Sequence, residues 1–246
     1  MPEIIDDEIS RAWIRAITLA NSQPKKEVSN LIVSVEGIQD HSMVANNDPV
    51  RLSLDHTLES NGFSTVSTVA NTIFPSSLWQ KDKPRAVLYE RYLRLWPRVS
   101  AHKKNQRGTY FQRLIALPGF GDSTFNQLEF VITAYNSGIR RRSALQCGIL
   151  VPSLDLNATP YQGFPCMQQL AMIPDGKGGL RVSALYPMHY LWARAYGNYL
   201  GLINLGRFMA AEMNLELRAM TCIALVAKLD EPELAVRVRE ATNEIQ

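Results

Sequence analysis

Apolar residues recur at helical spacing from about Asp6 to Ala20, where Ile9, Trp13, Ala16, Ile17 and Ala20 fall on one face. This predicts an amphipathic helix, ended by Pro24 and the Lys25–Lys26 pair. Leu31 to Glu36 reads as a strand and the polar run Gln39 to Asp48 as a loop. Ser64 to Phe74 is a mixed apolar stretch stopped by Pro75. A second amphipathic helix is expected from Arg85 to Trp96, entered through Pro84 and closed before Pro97, because proline lacks the N–H that continues a helix. A basic loop, Ala101 to Arg107, follows. Phe125 to Tyr135 reads as a helix ending near Asn136 and Gly138.

In the second half, Ser143 to Val151 reads as a strand that Arg140, Arg141 and Arg142 open, followed by a turn-rich loop from Pro152 to Gly163. Cys166 to Ile173 and Leu180 to Tyr186 read as two strands. The Pro174-Asp-Gly-Lys-Gly-Gly179 turn makes them a hairpin. The longest apolar stretch, Tyr190 to Met213, carries Arg194, Asn198, Asn204 and Arg207. That suits a long helix in a protein core and not a membrane span. Leu217 to Leu229 is expected as a final buried strand and Pro232 to Ala241 as a closing helix. The irregular alternation with a hairpin predicts an α/β (α+β) fold. Its mixed twisted sheet would be covered by helices around a long buried central helix, as a single domain over residues 1–246.

Composition narrows the partners. The 246 residues are 46% apolar, enough for a sizeable core, and carry 26 basic against 23 acidic residues. A net charge of +3 is small for a chain that neutralises many phosphates, so no nucleic-acid partner is expected, while a small anionic ligand is compatible. Cys147, Cys166 and Cys222 are odd in number and unpaired in spacing. They predict neither a disulfide framework nor a zinc site, and so a reducing, cytoplasmic compartment. The acidic first residues lack the basic and apolar regions of a signal peptide.

The four histidines, His41, His56, His102 and His189, show no ligand spacing, and no metal is expected. Pro118-Gly-Phe-Gly121 holds only two glycines of a dinucleotide fingerprint. Gly163-Phe-Pro-Cys166 is more informative. A cysteine at a strand mouth after an irregular loop is placed as a nucleophile is, half exposed and half packed; the alternative is a small buried hydrophobe. Cys147 and Cys222, inside apolar runs, fit the core. Three adjacent guanidiniums at Arg140 to Arg142 repel one another unless an anion neutralises them, and the arginine fork suits phosphate; the alternative is a solvated basic loop.

In their order and spacing, these residues resemble the thymidylate synthase family. Pro165-Cys166 is similar to the family's Pro-Cys nucleophile motif, and Arg141-Arg142 to its Arg-Arg pair. Gly197-Asn198 resembles the site of its base-reading asparagine, and Phe208 to Leu217 the segment closing the same helix. Ile73-Phe-Pro-Ser-Ser-Leu-Trp79 and Gly108-Thr-Tyr110 resemble upstream motifs. The likeness spans about Ser64 to Leu217, and its first part looks closer to short archaeal-type members.

The resemblance implies a homodimer acting on a pyrimidine nucleotide. Cys166 would attack C6, and C5 would then take a one-carbon unit from methylenetetrahydrofolate. Arg141 and Arg142 of a second subunit, with Asn198, Tyr110 and His189, would hold the substrate. The sequence also departs from the family. Ser76 stands where the family has a glutamate, Met167 follows the nucleophile, and Tyr186-Pro-Met188 replaces a Gln-Arg-Ser motif whose arginine touches thiolate and phosphate. No Thr-His-x-Tyr motif lies near Cys222 to Leu229, and Thr242 to Gln246 does not match the family's closing tail. These losses leave a second reading open: a nucleotide-binding or sensing protein that keeps the fold without turnover.

Overall fold

The computed structural model describes residues 1–38, 48–119, 123–156, 158 and 165–243. The Gln39–Asp48 loop, Gly121, most of the loop before Pro165, and the last three residues lie outside that set, apart from Asp48 itself. The strands are β1 (Glu3–Asp6), β2 (Glu27–Glu36), β3 (Leu117–Pro118), β4 (Thr124–Phe125), β5 (Gln146–Gly148), β6 (Gln169–Pro174), β7 (Gly179–Tyr190) and β8 (Glu216–Lys228). The helices are α1 (Ile9–Asn21), α2 (Pro49–Ser60), α3 (Val66–Ile73), α4 (Arg85–Ala101), α5 (Tyr110–Ile115), α6 (Gln127–Asn136), α7 (Pro152–Asp155), α8 (Tyr196–Glu212) and α9 (Pro232–Asn243).

Six strands form one mixed sheet in the order β1-β2-β8-β7-β6-β5, and β3 and β4 form a separate small ribbon. The β1–β2 and β7–β8 pairs are parallel, and the other pairs antiparallel. The expected α/β class and mixed sheet are thus present. Strand register explains how the sheet is packed, because alternate residues face opposite sides. Val33, Cys222, Ala184, Leu170 and Cys147 lie side by side across five strands. All five are buried beneath the helices. The neighbouring row, Ile32, Ile223, Leu185 and Gln169, faces the other way and is half-buried or exposed.

The long apolar segment divides in two. Leu191–Ala195 makes one π-helical turn, and α8 follows. Thirteen of the 17 residues of α8 are buried, so it has no solvent face and no amphipathic stripe. It contacts β8 and β7 on one side and α3 on the other. On the α3 side two glycines bring the backbones together. A Cβ on Gly197 would sit 2.6 Å from Val69 Cβ and 2.9 Å from the Val66 carbonyl oxygen, and one on Gly201 would sit 2.8 Å from the Ala70 carbonyl oxygen. α1 lays Ala12, Trp13, Ala16, Ile17 and Ala20 into the same layer, as its period predicts. Trp13 Nε1 donates to the Leu191 carbonyl at 2.7 Å, fixing where the π turn begins.

Several expectations are corrected. Pro97 does not close its helix: α4 runs through it to Ala101. Pro97 and Leu93 are both on the exposed side, where water serves the Leu93 carbonyl that loses its donor. The strand expected over Ser143 to Val151 is only β5, between a 3-10 turn (Arg142–Ala144) and α7. Pro152 starts that short helix where a loop was expected. Cys166 stands three residues before β6 and not inside it. β1, α2 and the helical character of α3 carried no clear periodic signal.

The close approach of α3 and α8 gives a direct test. Gly201→Ala should destabilise the protein by about 1–3 kcal/mol and Gly201→Val by more, because the contact is to backbone that cannot rotate away. Urea unfolding of both variants beside wild type measures this; a cost below about 0.5 kcal/mol for Gly201→Val would contradict the packing.

Candidate active site around Cys166

Cys166 is half-buried, whereas Cys147 and Cys222 are sealed in the sheet row. Burial alone pushes the Cys147 thiol up to about 12 and raises that of Cys222 as well, so neither is a nucleophile at neutral pH. Burial also holds the Cys166 thiol above its ordinary value, and there the positive charge of Arg194 offsets part of the rise. Arg194 comes from the π turn, half-buried and four residues before Asn198. Its backbone is held in place. The Asp230 carboxylate accepts from the N–H of Trp192 at 2.9 Å and of Ala193 at 3.2 Å, capping the turn. π turns recur at functional positions because they re-aim a side chain within a helix.

Tyr110 faces Cys166 from α5. Its hydroxyl accepts from the Met167 N–H at 3.4 Å, and burial, with the nearby thiol, raises its own ionisation. Thr109 caps α5 by accepting from the Gln112 N–H at 3.2 Å, and its hydroxyl meets Tyr92 Oη at 2.6 Å, which ties the tyrosine to α4. The buried Arg113–Asp155 pair (2.7 and 2.9 Å) then anchors α5 to α7, on the way to Cys166. Arg113 also donates to the Ile149 carbonyl at 3.0 Å, and Asp155 accepts from the Val151 N–H at 2.7 Å, so both charges are hydrogen-bonded as well as paired.

Beneath this layer lies Tyr186, fully buried, electrostatically coupled to Cys166, Tyr110 and Cys222. Its hydroxyl has no hydrogen-bond partner among the described residues. An orphaned buried phenol costs free energy unless a ligand or water meets it. Its ring stacks on His189 at 4.3 Å. His189 Nε2 lies 3.0 Å from Asn198 Nδ2, and Nδ1 lies 3.5 Å from Cys222 Sγ. Burial lowers the His189 pKa to about 3, so the ring is neutral. With the Asn198 amide donating to Nε2, the ring proton sits on Nδ1, toward sulfur. That fixes the amide's orientation and leaves Asn198 Oδ1 and one N–H uncommitted to the imidazole.

Cys166, Tyr110, His189 and Asn198, expected from the sequence, are therefore drawn into one region. Arg141 and Arg142 are not. Both are exposed at the opening of β5, whereas Cys166 lies beyond the other end of that strand. Arg140 instead covers the Tyr135 ring at 3.9 Å. Arg194 and Tyr186 were missed as site residues. Arg194 stood out only as a charge inside an apolar run, and Tyr186 only as a departure from a motif. Among the described residues no group of histidine, cysteine and carboxylate side chains is arranged to hold a metal ion. No helix of the described residues is long and apolar enough to cross a membrane. No family profile and no curated protein matches this sequence.

The neutral histidine sets a pH dependence. Its folded pKa lies below the ordinary value, so the unfolded chain takes up a proton first as pH falls. Its contribution is intact above about 6.5 and is lost as pH drops toward about 3. The slope is at most about 1.4 kcal/mol per pH unit. His189→Gln should flatten this part of the stability–pH curve, measured by denaturant unfolding from pH 7 to 4. An unchanged slope would mean that His189 is not held neutral.

Proposed function

We propose that this protein binds a uracil-type pyrimidine nucleotide beside Cys166. The Cys166 thiolate adds to C6, the step that in a thymidylate synthase-like reaction activates C5 toward a one-carbon unit, on a thymidylate synthase-like fold. The observation that carries this reading is a half-buried thiol with a cation, Arg194, and an orphaned buried phenol, Tyr186, beside it, the phenol being linked through the stacked His189 ring to Asn198. The thiolate forms a C–S bond at C6, and the displaced π pair moves to C5 and O4 as an enolate. Arg194 favours the thiolate before attack. The Tyr186 hydroxyl is available to donate to a ligand oxygen, and Asn198 Oδ1 with its free N–H matches the N3–H and O4 of uracil.

The donor implied by the resemblance, methylenetetrahydrofolate, needs an open aromatic or apolar wall for its ring system. The described polar side chains that interact with Cys166 are two phenols, Tyr110 and Tyr186, and the Arg194 guanidinium. Trp79 packs edge-on against Phe74 and Phe208 at 6.1 and 5.7 Å, with its indole N–H buried. These residues do not fit the donor, so the chemistry proposed for Cys166 ends at the C6 adduct. That observation favours, as a second reading, nucleotide binding or sensing without transfer.

The proposal includes a homodimer in the cytoplasm. The uncovered sheet face carries Ile32, Ile223 and Leu185 in one row, with Ile5 and Leu225 49% and 45% exposed, an apolar surface suited to a second copy of itself. Arg141 and Arg142 lie exposed at the opposite end of β5 from the Cys166 of their own chain, a placement compatible with serving a partner's site.

Three measurements test this. Incubation with dUMP, followed by intact-protein mass spectrometry, should give an adduct that Cys166→Ser abolishes with little change in Tm. Tight binding without adduct would leave the sensing reading, and no binding would remove both. Arg194→Gln should shift the pH midpoint of Cys166 alkylation upward, with Arg194→Lys close to wild type; an unmoved midpoint would exclude Arg194 from the thiol's environment. Calorimetry should find uracil nucleotides bound more tightly than cytosine nucleotides by about one to two decades, narrowed or reversed in Asn198→Asp. Equal affinities in both proteins would make Asn198 a packing residue. For the dimer, a monomer by light scattering at micromolar concentration would overturn the proposal.

A further inference from the structure

A side-chain amide has two ends of nearly the same shape. Packing can fix where such a group lies but not which end is oxygen; only the hydrogen bonds around it make that choice. Asn198 shows the first half of this. It is 3% exposed, and its stretch of α8 is fixed by Gly197 and Gly201, whose close approach to α3 leaves no room for a Cβ. The second half falls to one residue. Among the described residues the hydrogen-bond partner of the amide is His189, with Asn198 Nδ2 3.0 Å from His189 Nε2.

By resemblance, His189 is expected to hold the substrate. In the fold its ring has no free nitrogen to offer. It is 2% exposed. Tyr186 stacks on it with centroids 4.3 Å apart and planes at 19°, and Tyr199 meets it edge-on at 5.8 Å. Nε2 faces Asn198, and Nδ1 faces Cys222 Sγ at 3.5 Å. Any effect of His189 on a ligand therefore passes through Asn198.

The ring is neutral, so one proton and one lone pair are divided between these two neighbours. With Nδ2 donating to Nε2, the Nδ1–H points at sulfur, which accepts. A turned amide would set Oδ1 against the bare Nε2, two acceptors face to face. The ring could follow the amide only by moving its proton to Nε2, and Nδ1 would then depend on the Cys222 S–H, a weak donor. Losing one buried hydrogen bond disfavours the turned amide by on the order of ten- to a hundredfold.

We propose that His189 is a positioning residue that sets the base preference of the site without touching the base, by holding Asn198 Nδ2 toward the ring and Oδ1 away from it. The inference rests on the pyrimidine reading for what the amide recognises, and on the core alone for how the amide is held. With the amide locked, uracil finds the acceptor for its N3–H and the N–H for its O4. Cytosine, whose donor and acceptor are exchanged, does not. Freed from His189, the amide can turn and serve either base.

His189→Phe keeps a ring against Tyr186 and removes both nitrogens. Calorimetry with dUMP and dCMP should then find the gap between them, about ten- to a hundredfold in the wild type, reduced to within about threefold, chiefly because dCMP binds more tightly than before. General damage to the site weakens both ligands and produces no such gain. An unchanged gap would overturn the proposal. The second measurement needs no nucleotide. In NMR spectra of protein labelled in its histidine ring nitrogens, at neutral pH, the His189 signals are assigned by their absence from His189→Gln. They should show the proton on Nδ1 and a bare Nε2. A proton on Nε2 would overturn the proposal even if the base gap behaved as expected. If neither nucleotide binds the wild type, the pyrimidine reading fails, and the place of the ring proton alone decides whether His189 holds the amide.

Discussion

Gly197 and Gly201 bring α8 into backbone contact with α3, and Gly206 makes a comparable approach on the sheet side, where a Cβ would meet Leu217 Cδ1 at 2.7 Å and Val182 Cγ2 at 3.0 Å. A helix buried on every side must fit its neighbours to within a methyl group, because interiors pack at crystal-like density. Three side chains of zero size on two faces achieve that fit for α8. The arrangement of the site follows from it. Asn198 lies between Gly197 and Gly201 on the first turn, so its amide is fixed by backbone packing before any ligand enters. The π turn just upstream joins the end of β7 to the start of this helix and carries Arg194.

The elements that the sequence made legible are those with one strong period or an unambiguous turn. α1 and the hairpin of β6 and β7 arise where expected, because an apolar stripe of period 3.6 and a glycine-rich turn each admit one local solution. α8 was legible as a buried helix, but its glycines gave no sign of which neighbour they admit. Local rules failed where tertiary context carried the decision. Pro97 is tolerated because its side of α4 faces water. β5 is short because Pro152 starts a helix that Asp155 needs in order to meet Arg113. β1 is four residues long and owes its strand form to parallel pairing with β2, which no local pattern announces.

The candidate site divides along the same line. Cys166 was legible from its place after a loop, and Asn198 and His189 from the resemblance. The physical content of the site is less visible in a linear chain. It is a buried polar stack in which Tyr186, His189, Asn198 and Cys222 come from three elements, β7, α8 and β8. Burial keeps His189 neutral, and a neutral imidazole can accept from the asparagine while its other nitrogen faces sulfur. A charged ring would reverse the first contact and leave a cation in the core. The stack is therefore consistent only in one protonation state, and that state is what orients the Asn198 amide.

Charge acts in two ways in this molecule, and its effect depends on where it sits. One guanidinium, Arg194, half-buried beside one thiol, offsets part of the desolvation penalty on Cys166, because a partly buried charge is screened less than an exposed one. On α4 each arginine is wet and individually weak, and screening limits its reach to about 8–10 Å at moderate salt. Within that radius Arg91, Arg94 and Arg98 outnumber the one carboxylate of the same exposed surface, Glu90. The net charge of the chain predicts neither behaviour. What matters is the balance of charge inside one screening length, and by that measure the protein carries one cation beside the Cys166 thiol and a mostly cationic surface on a separate helix.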